Sequence, residues 1–302
     1  MTATVSVEIR KPTLSPTAMS NYETCGRRGQ FYHDPDIPRT SGQGQARGSA
    51  WHKAMETYGL ARLYYGDHVV ALIDDDDLIT RLYAIIIGSL SEQMTDDDYE
   101  TLDDDITVEE LVNQLWVMLQ SWVSDRQNRW MGDEVKIEAV EAEVLVEFGI
   151  DTSHQFRGFI DAVYRVPGYG TVIVDYKTAG KAWAHNKDGH GKGDGDPRKN
   201  PSAAQYAEAW LRATGEEVDW VAFDVMTVAG KFERVWVHVH AEIRKVFIRR
   251  WVATSDDIEM YRQAGMDMPT NPSSILCSPK WCSYWTYCPM GEDLDKIGET
   301  ND

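Results

Sequence analysis

Apolar positions along the chain fall into two regimes. Up to about residue 130 they recur at helical spacing, and beyond it they gather into runs rich in β-branched and aromatic residues. Ser15-Pro16 opens a helix, with Ser as N-cap and Pro at the first helical position, and Cys25-Gly26 is expected to close it. A second helix is expected from Gly48 to about Tyr65, and another around Ile79–Leu90. Thr107-Val-Glu-Glu110 fits a capping box, and Val108, Leu111, Val112, Leu115, Leu119, Trp122 and Val123 follow on one helical face. Residues 66–130 therefore read as a helical insertion. Val135–Phe148, Phe156–Val166 and Thr171–Lys177 read as strands, and Lys181–Asn200 as a glycine-rich polar loop. Pro201–Thr214 reads as a helix, Trp220–Thr227 and Phe232–His240 as a hairpin around Ala229-Gly230, and Ala241–Thr254 as a helix. The chain thus reads as a mixture of helical and strand-like segments.

Composition narrows the classes. The 302 residues are 42% hydrophobic and 26% charged, which suits a packed core and excludes global disorder. Thirty Lys and Arg against 49 Asp and Glu leave a net charge of −19, which excludes a polybasic protein that coats nucleic acid by charge alone. Fourteen acids and one base, Arg81, lie between Val69 and Glu110, so this window carries most of the excess. Its runs, Asp74–Asp77, Asp96–Asp98 and Asp103–Asp105, read as solvated faces, with a DNA-mimicking or partner-docking face as the alternative. Residues 231–250 are locally basic through Lys231, Arg234, Arg244, Lys245, Arg249 and Arg250, so a cationic binding face can coexist with an acidic total. MTATVSVEIRKP has no apolar signal core, and the longest apolar stretch, near Leu82–Leu90, is too short to cross a bilayer. The expectation is a soluble protein, with no membrane partner, in a reducing cytoplasm.

The chemistry concentrates in Arg157–Thr178. Two strand-like runs flank Pro167-Gly168-Tyr169-Gly170, a hairpin signal. Asp161 and Asp175 are each seven residues from Gly168, so a turn symmetric about that glycine sets them directly opposite, with Cβ atoms about 5 Å apart. Two facing carboxylates repel unless a cation lies between them, and oxygen ligands suit Mg²⁺ or Mn²⁺. Lys177 shares a strand face with Asp175. Two carboxylates, a divalent cation and an ammonium suit phosphodiester hydrolysis: the metal acidifies a water and the ammonium orients it or offsets developing charge. A solvent-facing, salt-bridged hairpin is the bland alternative.

Asp161 followed by Asp175-Tyr176-Lys177 resembles the core of the PD-(D/E)XK nuclease superfamily. Gly48-x-x-x-His52 and Gln205-Tyr206 are similar to its RecB-type branch. The resemblance spans about Ser15 to Pro289, outside the acidic insertion, and implies one nuclease domain over residues 1–302, of α/β class, with a restriction-endonuclease-like central mixed sheet flanked by helices. It implies metal ligation by His52, Asp161, Asp175 and the Tyr176 carbonyl, catalysis by Asp161, Asp175 and Lys177, and DNA contacts from Gln205 and Tyr206. An upstream acid of the family would correspond to Glu141 or Glu143. Ile160 stands where the superfamily name has Pro, and the Tyr directly follows Gln205 where many members place it four residues on. The implied activity is a metal-dependent deoxyribonuclease, exonuclease rather than endonuclease, working on DNA ends in recombination or repair. Phage relatives act beside a single-strand annealing protein, and a homo-oligomer is compatible with the sequence. The rivals are a non-cutting DNA-binding or adaptor protein of the same fold and a zinc-stapled structural protein.

Three of the four cysteines, Cys277, Cys282 and Cys288, fall within twelve residues, and the fourth, Cys25, lies 252 residues before them. Four thiolates can bind one [4Fe–4S] cluster or one Zn²⁺, and the one-plus-three split favours the cluster, with zinc or no metal as alternatives. The same pattern resembles the iron–sulfur members of the RecB-type branch, CRISPR-associated and phage exonucleases among them. The resemblance implies a structural staple joining an N-terminal segment to the 271–290 segment. Trp281, Tyr284, Trp285 and Tyr287 would shield such a group or stack single-stranded bases.

Overall fold

The computed structural model describes residues 11–37, 43–93, 107–125, 128–130, 134–149, 152–180, 200–279 and 281–291. Its elements are β1 (Thr13–Leu14), α1 (Pro16–Thr24), α2 (Gly26–His33), α3 (Gln43–Tyr65), α4 (Asp67–Val70), α5 (Asp75–Gln93), α6 (Val108–Ser124), β2 (Lys136–Val146), β3 (Gln155–Val166), β4 (Gly170–Ala179), α7 (Pro201–Thr214), β5 (Trp220–Thr227), β6 (Phe232–His238) and α8 (Ala241–Ala264). The chain divides into two compact units, one of Met1–Arg39, Val144–Gly158 and Lys245–Asp302, the other of Thr40–Glu143 and Phe159–Arg244. The Lys181–Asn200 loop, up to residue 199, and the acidic runs at 96–98 and 103–105 lie outside the described residues.

The second unit holds most of the sheet. β3 and β4 are antiparallel, β4 and β5 parallel, and β5 and β6 antiparallel. The parallel pair needs a crossover, and α7 lies within it. β4 is buried from Thr171 to Tyr176 and reads as an unbroken apolar run up to Asp175, as a strand covered on both faces must. Trp51, Met55 and Tyr58 of α3, Leu82 and Ile86 of α5, and Leu111, Leu115, Leu119 and Trp122 of α6 share one core with Ala162, Tyr164, Val172 and Val174 of the sheet. Helices α5 and α6 thus complete the sheet's hydrophobic layer. Both bonds of the Thr107–Glu110 capping box form, at 3.0 and 3.2 Å. Among the described residues, no helix is long and apolar enough to cross a membrane.

The first unit is built around α1, α2 and most of α8. Ser15 caps α1, its Oγ accepting the Ala18 N–H at 3.1 Å. Helix α1 closes at Cys25 as expected, but through the extended backbone of Cys25 itself (φ −162°) rather than a glycine stop, and Gly26 begins α2 directly. The Arg-Arg-Gly-Gln stretch after it carries no apolar stripe, which is why this helix escapes periodicity. β1 pairs parallel with the start of β3 through Thr13↔Gln155 and Leu14↔Phe156. Phe148 packs against Phe156 and Trp251.

Two arginines of the basic stretch, Arg234 and Arg244, are taken up internally, while Lys231, Lys245, Arg249 and Arg250 are exposed. Arg234 reaches buried Asp224 through Nε and Nη2, at 2.7 and 2.8 Å, and lies 3.7 Å over the Trp130 ring. Arg244 is buried and bonded to Glu217 and the Val218 carbonyl. Arg250 pairs with Glu23 at 2.9 Å.

Candidate active site

The hairpin of β3 and β4 turns on Gly168, whose φ of +79° is open mainly to glycine. Its ladder runs from Val166↔Gly170 to Ala162↔Val174. One further step in this register sets Asp161 against Asp175, the pairing expected from the spacing. Asp161 does not continue the ladder there; its Oδ2 accepts the Tyr176 backbone N–H at 2.7 Å. Asp175 is 4% exposed, with Oδ1 bonded to Lys177 Nζ at 2.5 Å and Oδ2 buried without a hydrogen-bond partner.

Helix α3 brings His52 to the same place, its Nδ1 3.3 Å from Asp161 Oδ1 and its ring edge-on to that of Tyr176 at 6.4 Å. Strand β2 supplies Glu141, and ligand atoms of His52, Glu141 and Asp161 all lie within 4.8 Å of one another. Glu141 has φ +47°, a left-handed backbone rare for a residue with a side chain. Glu143, the other candidate for an upstream acid, is exposed and is not part of this group. The tyrosine hydroxyls of Tyr176 and Tyr164 lie 3.3 Å apart beneath the site. On α7, Gln205 is 1% exposed, and its Oε1 is buried without a partner.

The electrostatics follow from this crowding. Burial, and then the Asp161 charge, push the Glu141 carboxyl up to about 7. Burial raises Asp175 to about 6 against the pull of Lys177, with Asp161 adding to the rise. Burial alone would raise Asp161, but His52 and Lys177 hold it low. Burial would lower Lys177, yet Asp175 and Asp161 raise it, so it is an ammonium at neutral pH. Burial, and then the charges of Asp175, Asp161 and Glu141, hold the Tyr206 hydroxyl protonated. Asp161, Asp175, Lys177, His52 and Tyr176 thus come together, and Tyr206 lies within electrostatic reach. Glu141 is singled out over Glu143 by a backbone kink that no glycine marks in the sequence.

The other candidate centre lies in the first unit. Cys25, between α1 and α2, and Cys277, Cys282 and Cys288 line one cavity with Phe31, Tyr284 and Trp285. Burial, and then the nearness of the other three thiols, raise Cys277. Tyr284 and Trp285 are buried, whereas Trp281 and Tyr287 are exposed.

Together these features define a class of protein: a mixed α/β sheet bearing, at one hairpin, an acid–histidine cluster with a lysine alongside. The profile of the PD-(D/E)XK nuclease superfamily matches residues 13–289, and the chain belongs to that superfamily. A crystal structure from Eubacterium rectale, of a protein provisionally named an exonuclease, superposes with a TM-score of 0.56 over 92% of each chain at 15% identity, a likeness of fold. The crystal structure of SSO0001 aligns at a TM-score of 0.34 and 11% identity, over 90% of this chain and 94% of that one. No curated protein matches the sequence.

Proposed function

We propose that this chain is a metal-dependent deoxyribonuclease of the RecB-type branch that removes nucleotides from DNA ends, in the service of recombination or repair. The observation that carries the reading is Asp175, a buried carboxylate with one oxygen on Lys177 and the other without a partner, beside the His52–Glu141–Asp161 group. Hard oxygen donors with one imidazole fit Mg²⁺ or Mn²⁺. His52, Asp161, Asp175 and the Tyr176 carbonyl would hold the ion, and Glu141, whose carboxylate converges with His52 and Asp161, would be a further ligand. When bound, such an ion polarises the phosphate and acidifies a water. The chain's own contributions are positional. The Tyr176 N–H fixes the Asp161 carboxylate, Asp161 orients His52, and Lys177 presents a fixed positive charge where negative charge develops. Gln205 and Tyr206 would hold the DNA strand or the lysine.

The four cysteines fit a [4Fe–4S] staple. Four thiols meeting at one cavity, two of its walls the buried rings of Tyr284 and Trp285, need a cation to be ionised together. Anaerobic purification separates the readings: a brown protein with iron and sulfide supports the cluster, and a colourless one with stoichiometric zinc supports the alternative. The name carried by the Eubacterium rectale protein agrees with an end-dependent mode of cutting. A single-strand annealing protein and further copies of this chain are the partners to be sought.

End-labelled linear and closed circular DNA, each with Mg²⁺, Mn²⁺ or EDTA, test the activity. Linear DNA should be degraded only with metal, circular DNA should survive, and Asp175→Ala should abolish the reaction. Equal behaviour of wild type and variant would remove the proposal.

A further inference from the structure

Among the described residues, two arginines and no acid line the cavity that gathers the four cysteines. Arg27 is engaged elsewhere: it donates to Gln30 at 3.0 Å and to Asp267, and its guanidinium lies 4.6 Å over the Phe31 ring. Arg28 is held differently. Its Nε donates to Asn21 Oδ1 at 2.8 Å, while its Nη1 is buried and has no hydrogen-bond partner among the described residues. A guanidinium N–H withdrawn from water without an acceptor is costly, more so than a neutral donor. An anion in the cavity would remove that cost.

The cysteines supply a second observation. Four thiolates around one metal centre keep a net negative charge, and hydrogen bonds to such sulfurs tune and steady it. Here the backbone amides of all four are already committed to carbonyls: Cys25 to Asn21 at 3.0 Å, Cys277 to Ser274 at 2.9 Å, Cys282 to Ser278 at 2.9 Å and Cys288 to Trp285 at 3.2 Å. The sulfurs must draw on other donors. Asn21 ties Arg28 to this group, since its carbonyl takes the Cys25 N–H and its side chain takes Arg28 Nε.

We infer that Arg28 is the charge-compensating residue of the four-cysteine centre, its Nη1 donating to a ligand sulfur. Its positive charge sets how firmly the metal is held and, for an iron–sulfur cluster, how readily the cluster takes up an electron. The inference rests on the four-cysteine reading. Its test loads the chain anaerobically with iron and sulfide, or with Zn²⁺, and then challenges it with a chelator. Arg28→Gln should weaken metal retention at least about tenfold, and Arg28→Lys, which keeps the charge, should stay close to the wild type. Asn21→Ala, which unties the guanidinium but leaves its charge, should show a smaller loss in the same direction, and it carries the test should Arg28→Gln not fold. In the iron–sulfur form, the reduced-to-oxidised ratio of Arg28→Gln at a fixed potential should fall about tenfold, or about 59 mV for one electron, because reduction adds the negative charge that the guanidinium offsets. A residue that only packed would leave that ratio in place. Where zinc alone is taken up, retention decides. Wild-type retention in Arg28→Gln, equal losses in Arg28→Gln and Arg28→Lys, or an unchanged ratio overturns the inference and leaves the four-cysteine reading standing. A wild type that binds neither iron nor zinc overturns both.

Discussion

The carboxylate of Asp161 accepts the backbone N–H of Tyr176 at 2.7 Å, so the ladder between β3 and β4 ends in a side chain just where the acids would face each other. This fixes one acid without spending its second oxygen, which faces His52 Nδ1 at 3.3 Å. Asp175 lacks that arrangement: its Oδ2 is buried and unmatched.

Asp175→Asn should therefore separate function from folding. Burial already disfavours the Asp175 charge, so neutralising it should shift stability by no more than about 1 kcal/mol. Cleavage should fall at least about 100-fold. Thermal melts supply a second readout: Mg²⁺ or Mn²⁺ should raise the midpoint of the wild type by mass action and leave that of the variant in place. An equal metal-induced shift in both would place the ion elsewhere.

Arg234 tests the fate of the basic stretch. Its guanidinium is bonded to Asp224, 1% exposed, which also accepts Trp130 Nε1 at 2.9 Å. Arg234→Gln leaves a buried carboxylate without its cation and should cost about 3–5 kcal/mol in denaturant unfolding. DNA affinity of the folded variant should match that of the wild type. A stable variant that binds DNA weakly would return Arg234 to a binding face.

The hairpin was legible because its information is local: two acids equidistant from a glycine, between two strand-like runs, specify which residues face each other. Helix α6 was legible for the same reason, since Thr107 and Glu110 mark its start and the apolar stripe marks its inner face. Two features depended on distant residues and left no local sign. Glu141 and Glu143 are two apart and would share a face of a regular strand; only the left-handed turn of the backbone at Glu141 separates them. Helix α2 begins at Gly26, which reads as a stop, and contains Gly29, which is there for space, because an added Cβ would lie 2.1 Å from the Tyr22 ring. The partners of Arg234 and Arg244 likewise come from other strands and loops, so local charge misreads both as surface.

That close approach gives a direct test of packing in the first unit. Gly29→Ala should destabilise the protein by about 1–3 kcal/mol through overpacking, measured by chemical unfolding. Because the clash is with one ring, Tyr22→Ala should cost less in the Gly29→Ala background than in the wild type. Additive costs would show that the strain is relieved elsewhere.

Cys25 stands apart in sequence from the other three thiols, yet lines the same cavity. If the four hold one group, Cys25→Ser should lower both its occupancy, measured as bound iron, sulfide and zinc per chain, and the melting temperature. Loss of a link that closes so long a loop releases several kcal/mol of unfolded-state entropy in principle. A variant with unchanged metal content and unchanged melting would show that the thiols act independently.

His154 makes stability depend on pH. Its ring is 5% exposed, and Nδ1 lies 3.0 Å from Ser255 Oγ. Burial lowers its pKa below the usual value, with His33 adding to the fall and Glu259 opposing it. The unfolded chain, titrating near about 6.5, thus takes up a proton at a pH where the folded chain does not. Stability from this group is present above about pH 6.5 and is lost as the pH falls toward the lower folded value. His154→Asn keeps an acceptor for the Ser255 hydroxyl and has no proton to gain. Its melting temperature, followed from pH 8 to pH 5, should fall less steeply than that of the wild type below about pH 6.5. Parallel curves across that window would mean that another group carries the slope.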